Sequence, residues 1–156
     1  MKDLVKLFGC IIGCELVGIL GTPFTISVIP TWYAGLNKPF FSPPNWIFGP
    51  VWTILYLLMG ISFYLILKKG WKKKGVKSAE IFFLAQLAVN FLWTPIFFGL
   101  QSPLLGLITI LTLWVLIVIT MRKIYPLSKL AFYLLIPYLL WVSFATVLNA
   151  AILILN

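Results

Sequence analysis

The sequence contains no histidine and only three acidic residues, Asp3, Glu15 and Glu80. Without histidine, the chain cannot form a Ser-His-Asp triad, a histidine metal centre or a histidine-ligated haem site. The carboxylate pairs and metal-ligand clusters that paired-carboxylate hydrolysis and the common metal-assisted reactions need are absent, and there is no glycine-rich phosphate loop. Cys10 and Cys14 lack supporting residues for a metal site or a disulfide. We therefore expect no metal and no required cofactor, so any chemistry must come from aromatic and amide groups or from a bound ligand.

Charge of either sign is scarce, and the composition is that of an integral membrane protein. Of the 156 residues, 62% are hydrophobic, 17% are aromatic and 10% are charged. No charge occurs at residues 81–121, a run of 41 positions that is about twice the ~20 residues needed to cross a bilayer once. The chain must therefore turn back within this run, and 99–103 is the place. We predict an all-α membrane protein with one domain over 1–156, a five-transmembrane-helix bundle with spans near 5–26, 47–67, 80–99, 103–121 and 129–154.

The basic residues predict the orientation of these spans. Eleven of the twelve lie on the side of the N-terminus and of the second and fourth connections, and only Lys38 lies opposite. By the positive-inside rule, the N-terminus is cytoplasmic, and the first loop and the C-terminus lie outside the cell membrane. The net charge of +9 then reflects the membrane topology, and lysines next to the membrane indicate contact with anionic lipid rather than with nucleic acid. The bilayer is an expected partner, and nucleic acid is not.

The connection between the first two spans, here called the lid, is rich in tryptophan and proline. Residues 30–56, which include it, contain three of the seven tryptophans and five of the ten prolines. Irregular backbone exposed to hydrocarbon leaves its amides unsatisfied, so this segment must lie at the interface, against protein or over a cavity. The pattern favours a lid over a small-molecule pocket.

Three spans carry helical faces that pair large rings with small or amide residues. The faces comprise Trp52, Tyr56 and Gly60; Gln86, Asn90, Trp93 and Phe97; and Tyr138, Trp141, Ala145 and Asn149. Amides are unfavourable against lipid, so these faces are predicted to point into the bundle. They either form interhelical hydrogen bonds with rings filling the core, or line a ligand cavity. Pro95 and Pro137 predict kinks in the same region.

Small residues on the first span predict close helix packing. Cys10, Cys14, Gly18 and Gly21 form one stripe, which lets a neighbouring helix approach. Gly9 and Gly13 form a GxxxG pair, which indicates either an intramolecular contact or a homodimer face.

Three sequence strings, WYAGLNKPFFSPPNWIFGPVWTILYLLMG, NFLWTPIFFG and YLLWVSFATVLNAAI, resemble the translocator protein family, also called TspO or tryptophan-rich sensory proteins and, in animals, the peripheral benzodiazepine receptor. The resemblance covers nearly the whole chain and is to a bacterial-type member. It implies a five-helix bundle, often a homodimer, that binds protoporphyrin IX and other tetrapyrroles, and isoquinoline or benzodiazepine-type drugs, beneath the first loop. Bacterial members are implicated in stress sensing and in light-dependent porphyrin breakdown. Sterol binding is not expected, because no Lys or Arg follows Tyr138.

The resemblance also implies a set of ligand-binding residues. By position these are Trp32 and the loop that follows it, Trp46, Trp52, Asn90, Trp93, Trp141 and Ala145. Tyr56 and Tyr138 are also predicted to bind the ligand, because they lie on the same helical faces. Lys38 would either meet a ligand propionate or remain a solvated interfacial lysine. Trp52 and Trp141 are the expected photochemical residues.

Two other classes of function stay open. Glu15 is an acid within the first span, and such residues are functional candidates, which keeps a transporter possible. The third class is a ligand-gated stress sensor or scaffold that acts through its basic face.

Overall fold

The computed structural model describes residues 1–156, which form helices and no strands. Five helical segments are long and apolar enough to cross a membrane, which confirms the predicted number of spans. Their bounds are Lys2–Ile26, Asn45–Leu67, Val76–Gly99, Pro103–Ile124 and Lys129–Leu155. The regular α-helices within them are Lys2–Gly21, Pro23–Ile26, Asn45–Leu67, Val76–Thr94, Pro103–Ile124, Lys129–Leu134 and Ile136–Leu155, and π-helical turns occur at Ile29–Tyr33 and Pro95–Gly99.

The third span begins four residues earlier and the fourth ends three residues later than hydropathy predicts. Gly75 adopts a left-handed conformation with φ of 92° and precedes the first turn of the third span, where Val76 is wholly buried. The fourth span continues through Arg122 and Lys123 to Ile124. Long basic side chains can extend from a helix end towards the lipid headgroups. The first charged residue therefore marks the end of the apolar run, but the helix itself can continue beyond it.

The first and second spans approach each other closely at Gly60 and at Gly18. The end of the bundle that carries residues 2–6, 68–77 and 122–129 is here called the lysine end. A Cβ atom added at Gly60 would lie 2.5 Å from the Cα atom of Ile11, so backbone meets backbone there. A Cβ atom at Gly18 would lie 2.6 Å from the ring of Tyr56. Small residues at these two positions therefore set the separation of the two spans.

The GxxxG pair on the first span has a different environment from the small-residue stripe. A Cβ atom at Gly9 or Gly13 would meet nothing within 4 Å, and both glycines are exposed on the outside of the bundle. Cys14 and Gly21, in contrast, are buried. The intramolecular contact considered for Gly9 and Gly13 is therefore absent, and a homodimer face at this pair stays a prediction.

Both predicted proline irregularities occur at the expected positions. Pro95 begins a π-helical turn that ends at Gly99. Before Pro137, the fifth span is interrupted at Leu135, between the helices Lys129–Leu134 and Ile136–Leu155. Proline cannot donate the backbone hydrogen bond of a continuous α-helix, which accounts for both interruptions.

The buried residues form two clusters with different chemistry. The larger cluster extends to the lysine end, where it is mainly aliphatic and includes Ile66, Val76 and Ile124. The smaller cluster lies near the lid and centres on aromatic residues, including Tyr33, Phe97 and Phe98. Close aliphatic packing thus fills one half of the bundle, while rings shape the half beneath the lid.

Candidate ligand cavity

A cavity of about 420 Å³ lies in the half of the bundle beneath the lid. All five spans and the lid contribute to its wall. Its volume falls within the range of about 300–1,000 Å³ that is typical of small-molecule sites. Six predicted site residues meet on the wall: Trp52, Tyr56, Asn90, Trp93, Trp141 and Ala145.

A chain of hydrogen bonds closes the floor of the cavity. The Tyr56 hydroxyl donates to Asn90 Oδ1 at 2.6 Å, and Asn90 Nδ2 donates to the Tyr138 hydroxyl oxygen at 2.8 Å. The Tyr138 hydroxyl in turn donates to Gln86 Oε1 at 2.8 Å. All four side chains are buried and come from the second, third and fifth spans. The faces therefore form interhelical hydrogen bonds, and Tyr56 and Asn90 also line the cavity while Gln86 and Tyr138 support it from beneath. That a ligand occupies this cavity stays a prediction.

The floor also fixes the position of Trp52. Its ring stacks on Tyr56 with centroids 5.5 Å apart and meets Tyr138 edge-on with centroids 6.3 Å apart. Both tyrosine rings are held by the Asn90 side chain. Ring packing and hydrogen bonding thus act together, so Trp52 presents one orientation to the cavity.

Two further tryptophans, Trp93 and Trp141, also line the cavity. Trp93 stacks on Phe97 with centroids 4.9 Å apart, and Trp141 packs edge-on against Phe48 at 5.9 Å. These planar faces border the cavity on the third and fifth spans. A flat aromatic ligand would find ring surfaces on several sides.

Three polar atoms of wall residues are buried without a hydrogen-bond partner. They are the indole nitrogens of Trp93 and Trp141 and the Oδ1 atom of Asn149. Asn149 satisfies only its amide nitrogen, which donates to the Pro103 carbonyl at 2.8 Å. Each unsatisfied buried group costs about 1–3 kcal/mol. Residues of the wall therefore hold two donors and one acceptor that have no partner within the protein.

The lid is anchored by Trp32 and Tyr33. Trp32 packs against Phe97 with centroids 5.6 Å apart, behind the cavity wall, whereas Tyr33 is only 5% exposed and lines the cavity. Burial raises the pKa of the Tyr33 phenol above its ordinary value of 10.0. The phenol is therefore neutral at physiological pH and compatible with an apolar cavity.

Asn37 and Asn156 join the lid to the end of the fifth span. The backbone N–H of Asn37 donates to Asn156 Oδ1 at 2.9 Å, and Asn156 Nδ2 donates to the Asn37 carbonyl at 2.9 Å. The same Nδ2 atom also donates to the carbonyl of Ile152, within its own helix, at 2.8 Å. This pair of asparagines is here called the latch.

Four predicted site residues do not line the cavity. Trp32 and Tyr138 lie behind its wall and floor, and Trp46 is 73% exposed at the start of the second span. The Lys38 ammonium lies 4.7 Å from the ring centre of Tyr33 and donates to carbonyls within the lid. Ligand contacts by these four residues stay predictions.

Sequence reasoning did not single out three aromatic wall residues, Phe48, Phe98 and Tyr33. Phe98 lies within the π-helical turn Pro95–Gly99, where α-helical spacing does not apply. Phe48 precedes Trp52 by four positions and shares its helical face with Trp52 and Tyr56, so the same periodicity could have found it. Tyr33 lies at the end of the π-helical turn Ile29–Tyr33, where α-helical spacing gives no guide. Glu15, which also borders the cavity, is the one charged residue of the wall.

These features define a class of protein, a multi-pass α-helical membrane protein whose five spans surround an aromatic cavity beneath a lid. Comparison with known proteins names the family. The model of the TspO/MBR family matches residues 10–155. The chain is 47% identical over 155 residues to the tryptophan-rich protein TspO of Archaeoglobus fulgidus, covering 99% of both chains. It is 38% identical over 148 residues to the human translocator protein, covering 94% of this chain and 82% of the relative.

A third relative carries a name that refers to sensing. The tryptophan-rich sensory protein of Cereibacter sphaeroides is 37% identical over 139 residues, covering 87% of this chain and 85% of the relative. The chain belongs to the TspO/MBR family, as its tryptophan- and proline-rich strings predict.

Proposed function

We propose that the protein is a membrane receptor for tetrapyrroles such as protoporphyrin IX, and for isoquinoline or benzodiazepine-type ligands. The observation that carries this proposal is the cavity of about 420 Å³ walled by Trp52, Trp93 and Trp141 from three different spans. A flat aromatic ligand between these rings would gain about 0.5–1.5 kcal/mol for each well-placed aromatic pair, in addition to the burial of its apolar area. Metal coordination is not needed for this mode of binding.

The wall also offers polar recognition. Trp93 and Trp141 each hold an unpartnered indole N–H, and a ligand carbonyl or ring nitrogen could accept from them. The ammonium of Lys38 is the basic group of the lid, and it would meet a propionate at the cavity mouth once it released its two backbone carbonyls. In this proposal Trp32 supports the wall through Phe97, and Trp46 contacts the part of the ligand that reaches the lid.

Substitution of the wall tryptophans tests the proposal. Trp93→Phe and Trp141→Phe should each weaken protoporphyrin binding by between about twofold and tenfold, because each loses indole surface and a donor. Binding is measured in the dark by titration against the porphyrin absorption shift. Trp71→Phe is the matched control, since Trp71 is 72% exposed and distant from the cavity wall. Affinities equal to that of the control would contradict the assignment.

Light- and oxygen-dependent degradation of the bound porphyrin is the second candidate function. Trp52 and Trp141 both line the cavity, so both would lie beside an excited macrocycle. The wall holds no acid and base pair, and a dark hydrolytic reaction is therefore not expected. Repeating the titration under illumination tests this function. If the porphyrin bleached no faster with the protein than in micelles that contain free tryptophan, the function would be excluded.

Transport and sensing remain the alternatives, in line with the names translocator protein and tryptophan-rich sensory protein that relatives carry. Glu15 supports transport, because it is an acid that borders the cavity within the first span. Sensing would instead use the lysine end as the surface for a partner. We favour the receptor because aromatic wall surface, rather than a charged pathway, dominates the cavity.

We also propose that the lysine end faces the cytoplasm and the lid faces outward. Eleven of the twelve basic residues lie at the lysine end, which is the bias that the positive-inside rule describes. Homodimer formation through the exposed Gly9 and Gly13 is part of the same proposal, since their open surfaces would allow a second copy to approach closely.

A further inference from the structure

The lid contributes Ile29 and Tyr33 to the cavity wall and is held in place by ring packing and hydrogen bonds. Tyr33 is buried against Phe97 and Phe98, with ring centroids 6.3 Å and 5.6 Å away. The latch adds two hydrogen bonds between Asn37 and Asn156. Entry through the lid itself would require these contacts to separate.

The side wall between the first two spans is different. The spans are in backbone contact at Gly60, but nearer the lid a Cβ atom added at Gly49 would meet nothing within 4 Å. Thr22, Gly49 and Thr53 line the cavity and are also exposed on the outside of the bundle. The cavity therefore reaches the outer surface through a slot between residues 18–25 and residues 45–53, here called the slot.

The slot lies at a depth where its surroundings are lipid. Thr53 is eight residues beyond Asn45 in a continuous helix, which places it about 12 Å below the start of the second span. The hydrocarbon core is about 30 Å thick. The opening thus extends past the headgroup region into the acyl chains.

The chemistry of the slot suits contact with lipid. The hydroxyls of Thr22 and Thr53 donate to the carbonyls of Gly18 and Gly49 in their own helices, at 3.3 Å and 3.0 Å. These polar groups are satisfied without water, as a surface facing hydrocarbon requires. A passage lined in this way favours apolar molecules over hydrated ions.

We propose that the slot is a lateral entrance, through which flat lipophilic ligands dissolved in the membrane reach the cavity from the leaflet on the lid side. The inference rests on the proposed function, because it names the route to the same cavity. Carboxylates on such a ligand would stay near the headgroups while the rings enter, since a charge in the hydrocarbon core is costly.

Obstruction of the slot tests this route. Gly49→Phe places a ring in the open space, and Val115→Phe is the control because Val115 is 51% exposed and does not line the cavity. Protoporphyrin is delivered from preloaded vesicles, and its association with the reconstituted protein is followed by tryptophan quenching. Gly49→Phe should slow association by about tenfold, while the control and the latch variant Asn156→Ala keep the original rate. Thr53→Phe is a second obstruction in case Gly49→Phe does not fold.

Rates that are unchanged by both obstructions, or increased by Asn156→Ala, would overturn the entrance. A neutral aryl diazirine dissolved in the vesicles separates this outcome from failure of the proposed function. Flash photolysis soon after mixing should label the Trp93 peptide in the original protein and severalfold less in Gly49→Phe, with equal labelling of the exposed Leu104. That result would support the entrance even if protoporphyrin did not bind, and equal labelling of Trp93 in both proteins would exclude it.

Discussion

Removal of the Tyr138 hydroxyl should destabilise the bundle more than removal of the Tyr56 hydroxyl, although each change deletes one oxygen atom. Tyr138 takes part in two interhelical hydrogen bonds, to Asn90 and Gln86, whereas Tyr56 takes part in one. Interhelical hydrogen bonds in membrane proteins contribute about 0.6 kcal/mol on average and up to about 1.7 kcal/mol. We therefore expect Tyr138→Phe to cost about 1.2–3.4 kcal/mol and Tyr56→Phe about 0.6–1.7 kcal/mol.

The assay is thermal unfolding in one detergent, with the variants measured in parallel. For a chain of this size, about 1 kcal/mol corresponds to a change in Tm of about 2–4 °C. Tyr133→Phe is the control, because Tyr133 is 55% exposed and its hydroxyl makes no hydrogen bond within the protein. A second arm adds Gln86→Leu to Tyr138→Phe, which should recover part of the lost stability because a buried carbonyl oxygen is no longer left unsatisfied.

Two results would refute this reasoning. A Tm for Tyr138→Phe equal to that of the Tyr133→Phe control would mean that the buried chain contributes no net stability. A larger loss in Tyr56→Phe than in Tyr138→Phe would mean that ring packing, rather than the number of hydrogen bonds, sets the cost.

Gly60→Val should lower the free energy of unfolding by about 1–3 kcal/mol, because its Cβ atom would lie 2.5 Å from the Cα atom of Ile11. Thermal unfolding beside the control Ile108→Val, at a position that is 54% exposed, measures this, and equal Tm values would disprove the close approach. Asn156→Ala deletes both hydrogen bonds of the latch, and amide exchange in residues 30–44 should increase by about tenfold, the ratio for 1.4 kcal/mol. Ile154→Ala, at a position that is 83% exposed, is the control, and a lid that exchanges equally fast in both variants would contradict the latch.

The number of spans was predictable because it depends on the lengths of the apolar runs and on the turns between them. The charge-free run 81–121 is too long for one crossing, and it must contain a turn. Helical periodicity then identified the inward faces that carry Asn90 and Trp141. Periodicity gives the direction of a side chain but not its depth, so Tyr138 and Trp141 were grouped together although only Trp141 reaches the cavity.

The lid was predictable as a feature but not in its details. Its tryptophans and prolines indicated ordered, irregular backbone, yet Trp46 is exposed while Tyr33 is buried. No regular spacing distinguishes these two residues. The latch joins Asn37 to a residue 119 positions away, and no pattern in a single sequence reveals a polar contact over such a separation.

The hydrogen-bonded floor limits how the binding preference of this protein can be redesigned. Tyr56 and Asn90 serve at once as cavity surface and as ties between helices, so a library randomised there would lose many of its members to unfolding. Ala145 and Phe48 touch the cavity without hydrogen-bonding through their side chains. Diversity concentrated at such positions would explore new ligand shapes while the scaffold retains its assembly.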